Sequence, residues 1–177
     1  MFEAVMLGHR LAKEEFKQRE DALRIDLLNA QQALKKANKA VLIIVAGIDG
    51  AAKSDVIDTL NKWLDTRNIQ VHAFWNHTEE ETERPFYWRF WRRLPARGSI
   101  GIFFGGWYWQ VLRDYAFGRI EQAGFDQALR LIEETETMLH DDNMAVIKLW
   151  FHISESEQKQ RFKARKAQYK KLSLIHI

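Results

Sequence analysis

The sequence predicts an α/β fold, a parallel sheet with helices on both faces, and three observations carry that expectation. Strand-like and helix-like stretches alternate along the chain. Residues 41–46, Val-Leu-Ile-Ile-Val-Ala, are apolar on both sides, as suits a strand buried inside a parallel sheet. A short loop of small residues, 47–54, joins that run to an amphipathic stretch, giving a strand–loop–helix unit.

Taken in order, residues 11–38 read as one long polar helix. Leu23, Leu27 and Leu34, with Ile25, Leu28 and Ala30, form a stripe near the 3.6-residue period, and no Gly or Pro interrupts it. The buried strand at 41–46 follows, then the loop, then a helix over 55–66 with Val56, Ile57, Leu60 and Leu64 on one side. Residues 69–75 read as a second strand. Thr78 and Glu81 have capping-box spacing, and Pro85 restricts the next helix to start near Arg84 and run to Arg93. Residues 99–104 form a third strand, punctuated by Gly105 and Gly106. Helices are expected over 107–118 and 125–141, a fourth strand over 144–153, and a basic helix from Ser154 to about Lys170. Organisation follows: a helical extension at 1–38, the α/β domain at 39–170, and an apolar tail at 171–177 that reads as unstructured or non-native.

Composition removes several classes of function. With 177 residues, of which 46% are hydrophobic, the chain builds a single core without covalent staples. Cysteine is absent, which excludes disulfides, a thiolate zinc site and a cysteine nucleophile. The longest apolar stretch, 40–47, is far short of the roughly 20 residues that span a bilayer. Acidic residues begin at Glu3, against a secretory leader, so a cytoplasmic protein is expected. The net charge of only +3 argues for neither nucleic acid nor membrane as a partner.

The loop holds the chemistry. Gly47, Gly50, Ala51, Ala52, Lys53 and Ser54 approximate the G-x-x-x-x-G-K-[ST] phosphate-binding pattern. Small residues let backbone N–H groups curl around phosphate oxygens. The helix N-terminus adds partial positive charge, and the lysine brings a full one. Ala52 replaces the second glycine and puts a Cβ where the backbone is expected to need positive φ. The plainer alternative is a tight strand-to-helix turn that contains a lysine. A second signal is the cluster Arg84, Arg89, Arg92 and Arg93, where Arg89, Arg92 and Arg93 share one helical face; a solvated basic side is the plainer reading there. A third is an absence: the strand at 99–104 ends in Phe104-Gly105-Gly106, where loop-based phosphotransferases commonly hold magnesium with an Asp.

At these residues the sequence resembles the polyphosphate kinase 2 family, most closely the N-terminal half of its tandem-domain polyphosphate:AMP phosphotransferases. The family loop reads G-x-D-A-A-G-K, which Gly47, Asp49, Ala51 and Lys53 match. Leu64-Asp65-Thr66-Arg67 is similar to its Leu-(Asn/Asp)-Pro-Arg. Pro85-Phe86-Tyr87-Trp88-Arg89-Phe90-Trp91 with Leu94-Pro95 is similar to its P-F-x-W-R-F-W…L-P stretch. Trp107-Tyr108, then Lys148 to Ser154, Glu157-Gln158 and Arg161-Phe162, continue the match in order.

The resemblance implies a P-loop kinase-like fold and phosphoryl transfer between polyphosphate and a nucleotide such as AMP or ADP, with Mg²⁺. It implies Asp49 and Lys53 as catalytic residues, Asp49 at the metal, the loop as phosphate site, and Arg84 and Arg89 on the substrate. Two departures accompany it. Ala52 stands for the loop glycine, and Phe104-Gly105-Gly106 stands for the family's Asp-Arg-Ser. The pattern also stops before the family's lid and last strand, so the domain reads as degenerate and incomplete. The alternative expectation is a non-catalytic half, structural or polyphosphate-binding, that packs on an active partner domain or a second copy.

Overall fold

In the computed structural model, which describes residues 11–173, the chain forms a four-stranded, fully parallel sheet between helices. The strands are β1 (Ala40–Gly47), β2 (Ile69–Ala73), β3 (Ile100–Phe104) and β4 (Met144–Phe151). Their order across the sheet is β2-β3-β1-β4, so β1 lies inside, in register with β3 (Ile43 opposite Ile102) and with β4 (Ile43 opposite Ile147). The helices are α1 (Lys13–Ala37), α2 (Lys53–Trp63), α3 (Glu79–Thr82), α4 (Trp88–Trp91), α5 (Gly106–Ala116), α6 (Gln122–Asp141) and α7 (Glu155–Ser173). None of the described helices is long and apolar enough to cross a membrane.

The unbroken apolar run of β1 is explained by cover on both faces. Leu42 and Ile44 point into one core with Phe103, Trp107, Val111, Ile132 and Leu139, contributed by β3, α5 and α6. Ile43 and Val45 point into the other with Ile57, Leu64 and Ile102, against which Leu27 and Leu34 of α1 pack. Each such fully buried side chain contributes about 1.5–3 kcal/mol.

The helical extension is therefore part of the domain's packing. Gln31, almost fully buried, accepts from the Asp65 N–H at 2.8 Å and donates to the Asp65 carbonyl at 2.9 Å, and Phe16 stacks on Trp63. At the other end α7 runs on to Ser173, into the stretch expected to be a tail; residues 174–177 of that stretch lie outside those described.

One element differs in kind from expectation. The helix expected over 84–93 shrinks to one turn, α4, and a separate turn, α3, precedes it, with Pro85 between the two. Thr78 and Glu81 close a reciprocal capping box at the head of α3, as their spacing predicts. Pro85 lacks the N–H that would continue the helix, and α4 restarts with Trp88 bonding back to its carbonyl.

Candidate functional site

The loop between β1 and α2 sits at the carboxyl end of the sheet, where open α/β sheets take their ligands. Its path needs glycine at Gly47: φ is +128°, and a Cβ there would lie 2.0 Å from the Phe151 carbonyl oxygen of β4. Ala52 has φ +63° and ψ +27°, so the position that the pattern reserves for glycine is left-handed here too, with a methyl group on it. α2 has no side-chain N-cap, and its first turn faces the cleft with N–H groups free of a capping side chain.

Lys53, the first residue of α2, is buried and turned under its own loop. Its ammonium donates to Gly47 O at 2.7 Å, Ile48 O at 3.0 Å and Asp49 Oδ1 at 3.1 Å, which accounts for all three donors. Asp49 is 74% exposed, so its carboxylate lies over the lysine from the solvent side. The ring of Phe104, ending β3, is 5.9 Å from the same ammonium.

Asp49, Ala52, Lys53 and Phe104 wall a cleft of about 360 Å³ together with Gly50, Ser54, Asp55, Trp75, Phe162 and Arg165, while Gly47 and Ala51 are not in its lining. The last two belong to α7, which folds back on the loop. Gln158 donates to the Asp49 carbonyl at 2.9 Å and Arg161 to the Gly50 carbonyl at 3.0 Å. Spacing along the chain gives no sign of this. The basic helix starts about a hundred residues after the loop, and only the Ser154 cap marks where it begins.

The arginines expected on the substrate lie elsewhere. Neither Arg84 nor Arg89 is among the cleft's lining residues. Arg84 is exposed and covers the Trp88 ring. Arg89 is 6% exposed, paired with Glu81 at 3.3 Å, packed over Phe74 and Phe90, and donates to the Trp75 carbonyl at 3.1 Å. Burial pulls its pKa down, and Glu81 offsets part of that. Within the single turn of α4 Arg89 points inward, while Arg92, just past its end, lies out on Trp88. Arg89 thus braces the backbone of a cleft residue from behind.

For magnesium the donor set is thin. Asp49 is engaged by Lys53, an aromatic ring occupies the end of β3, and no group of three or more His, Asp or Glu able to hold a metal occurs among the described residues. The residues present do not form a protein cage for the ion.

A parallel sheet with a strand–loop–helix unit at the carboxyl end of its inner strand defines a P-loop kinase-like α/β protein. The profile of the family described as Polyphosphate kinase 2 (PPK2) matches residues 10–174, and the chain belongs to that family. It is 44% identical over 165 residues to a polyphosphate:AMP phosphotransferase of Pseudomonas aeruginosa, covering 93% of this chain and 33% of that protein. It is 39% identical over 167 residues to the protein of that name from Pseudomonas syringae pv. tomato, covering 94% and 34%. A crystal structure of a Pseudomonas aeruginosa polyphosphate kinase 2 superposes with a TM-score of 0.87 at 42% identity, over 97% of this chain and 38% of that one. The chain thus spans about a third of the length of the curated relatives it matches.

Proposed function

We propose that this chain serves a polyphosphate-dependent nucleotide phosphotransferase in the cytoplasm, and that its loop cleft supplies phosphate binding rather than turnover of its own. The relatives' names supply the substrate class, polyphosphate and AMP. One observation carries the division of labour: the ring of Phe104, not a carboxylate, faces Lys53 at the end of β3.

The loop's residues bind and orient. Lys53 already holds one anionic oxygen, Asp49 Oδ1, at 3.1 Å, and that carboxylate is exposed enough to swing aside for a phosphate oxygen. The free N–H groups of the first turn of α2 add donors on the same side. Arg165 brings a second cation across the cleft. Magnesium, when carried in on substrate phosphates, would supply charge neutralisation, and Asp49 is the loop carboxylate beside Lys53 that it would meet. Chemistry then falls to a like domain beside this one, a reading supported by relatives about three times this chain's length.

Two measurements test this. Conversion of AMP to ADP by the chain with polyphosphate and Mg²⁺ should fall well below the ordinary kinase range of about 1–100 s⁻¹. Titration calorimetry should show inorganic tripolyphosphate binding in metal-free buffer, weakening as salt rises, and weakened again by Lys53→Ala. Turnover within the kinase range overturns the division of labour. Equal tripolyphosphate binding by the parent and Lys53→Ala overturns the phosphate site.

A further inference from the structure

Four successive carbonyls of the β1–α2 loop each accept from a side chain. Gly47 and Ile48 accept from Lys53, Asp49 from Gln158, and Gly50 from Arg161. The first two bonds come from the loop's own lysine. The other two come from α7, 109 and 111 residues further along the chain.

The spacing of residues on α7 explains how one helix makes both bonds. Gln158, Arg161, Phe162 and Arg165 stand at i, i+3, i+4 and i+7, and so share one face. Ser154 fixes the start of that helix: its hydroxyl accepts from the Glu157 N–H at 3.2 Å and its carbonyl from the Gln158 N–H at 2.9 Å. Glu157 in turn pairs with one end of the Arg161 guanidinium, while the other end reaches Gly50. The helix also lies directly against that glycine. A Cβ added to Gly50 would sit 3.5 Å from Phe162 Cε1 and 3.8 Å from Gln158 Cγ.

Gly50 is where the loop could turn over. Its φ is +84°, and the peptides beside a glycine rotate at little cost. In a trans peptide the C=O and the following N–H point in opposite directions. Drawing the Asp49 and Gly50 carbonyls onto α7 therefore turns the N–H groups of Gly50 and Ala51 off it. The Ala51 N–H closes back on the Ile48 carbonyl at 3.3 Å. A flip of the peptide between Asp49 and Gly50 would put a carbonyl oxygen where the Gly50 N–H now stands, and that oxygen would repel an anion.

We infer that Gln158 and Arg161 are positioning residues, which clamp the two peptides beside Gly50 so that the Gly50 N–H stays turned toward an anion held on Lys53. This rests on the phosphate-binding reading of the loop and deepens it by naming what sets the loop's shape.

The test uses the 177-residue chain in metal-free buffer, with inorganic tripolyphosphate as the calorimetric probe. Gln158→Leu keeps the bulk and the absence of charge and removes the donor. It should bind about fivefold more weakly than the parent, as the loss of one ordinary hydrogen bond would give. That factor should be the same at low and high salt, because no charge has changed. Arg161→Ala should also bind more weakly at both salt concentrations, and Arg161→Lys should recover most of the loss. Lys159→Ala removes a cation from the same helix whose partner is Glu155, and its effect should be small and vanish at high salt. In the ligand-free chain, amide exchange followed by NMR should be faster at Ala51 in Gln158→Leu than in the parent, and unchanged in β1. Melting of each variant checks that the fold survives, and Arg161→Lys against Arg161→Ala carries the test if Gln158→Leu is unfolded. If Gln158→Leu and Arg161→Ala bind as the parent does, or if Arg161→Ala loses no more than Lys159→Ala at high salt, the clamp is overturned while the phosphate site stands. If the parent binds no tripolyphosphate, the phosphate reading falls, and equal Ala51 exchange in the parent and Gln158→Leu overturns the clamp separately.

Discussion

The ammonium of Lys53 lies 5.9 Å from the centre of the Phe104 ring, across the gap between the β1–α2 loop and the end of β3. A ring at that point offers the cation a weak attraction of about 0.5–2 kcal/mol and leaves the cleft without another negative charge. Phe104→Asp would put a full charge on the path of an incoming anion. Coulomb repulsion over that distance in a partly hydrated cleft is enough to weaken metal-free tripolyphosphate binding by about tenfold. Calorimetry in the presence of EDTA checks it; unchanged affinity would mean that residue 104 does not face the bound anion.

Gly47 and Ala52 both have positive φ, yet their substitutions should act in opposite directions. Gly47→Ala drives a Cβ to 2.0 Å from a backbone oxygen of β4, which no side-chain rearrangement relieves. It should cost several kcal/mol and leave little folded chain. Ala52→Gly relieves a left-handed alanine, worth about 1–2 kcal/mol, and gives back part of it through the freer unfolded chain. A net gain of about 0.5–1 kcal/mol, read as a higher melting temperature, is expected. A lower one would show that the Ala52 methyl is packed rather than tolerated.

The pair also shows what was legible in the sequence. The need for positive φ at Ala52 follows from the loop pattern alone, and the burial of Ile43 and Val45 follows from a run with no polar face. Both are local properties, dictated by the residue and its neighbours in the chain. Arg89 shows what was not. Its expected face assumed a regular helix from about Arg84 to Arg93, whereas only the single turn Trp88–Trp91 forms there and the side chain lies in the interior beside Glu81. The placement of Arg165 and Phe162 was illegible for another reason. Their place over the loop depends on how β4 hands the chain to α7, a long-range relation that no local period encodes.

On the opposite face of the sheet, Glu136 collects three donors: Trp107 Nε1 at 3.2 Å, the Tyr108 hydroxyl at 2.8 Å and Lys148 Nζ at 2.7 Å. Burial, with the bond to Glu136, pushes the Tyr108 phenol up to about 12. The bond to Glu136 raises Lys148 as well. In the unfolded chain the tyrosine ionises near 10 and the lysine loses its proton near 10.5. Both shifts therefore give stability that is whole below about pH 10 and is lost as pH rises toward 12. Tyr108→Phe should melt lower than the parent at pH 8, through the lost hydrogen bonds, with that gap shrinking by about pH 11. A gap that is constant with pH would mean the phenol titrates alike in both states.

Asp49 is where the two readings of the loop part most sharply. As a metal ligand, its loss would weaken binding that depends on magnesium. As the internal anion on Lys53, its loss does the opposite. In the structure the carboxylate sits 3.1 Å from the ammonium and is three-quarters exposed, so an incoming phosphate must displace it. With its carboxylate out in solvent the pair itself is worth little, about 0–1 kcal/mol, but the carboxylate's charge also repels the phosphate directly. Asp49→Asn keeps the shape and removes both effects. Tripolyphosphate should therefore bind several-fold more tightly to Asp49→Asn than to the parent in metal-free buffer, and the advantage should shrink at high salt as the repulsion is screened. Titrations of both chains at two salt concentrations decide it. Weaker binding by Asp49→Asn without metal would show that the carboxylate shapes the phosphate site instead of competing for it.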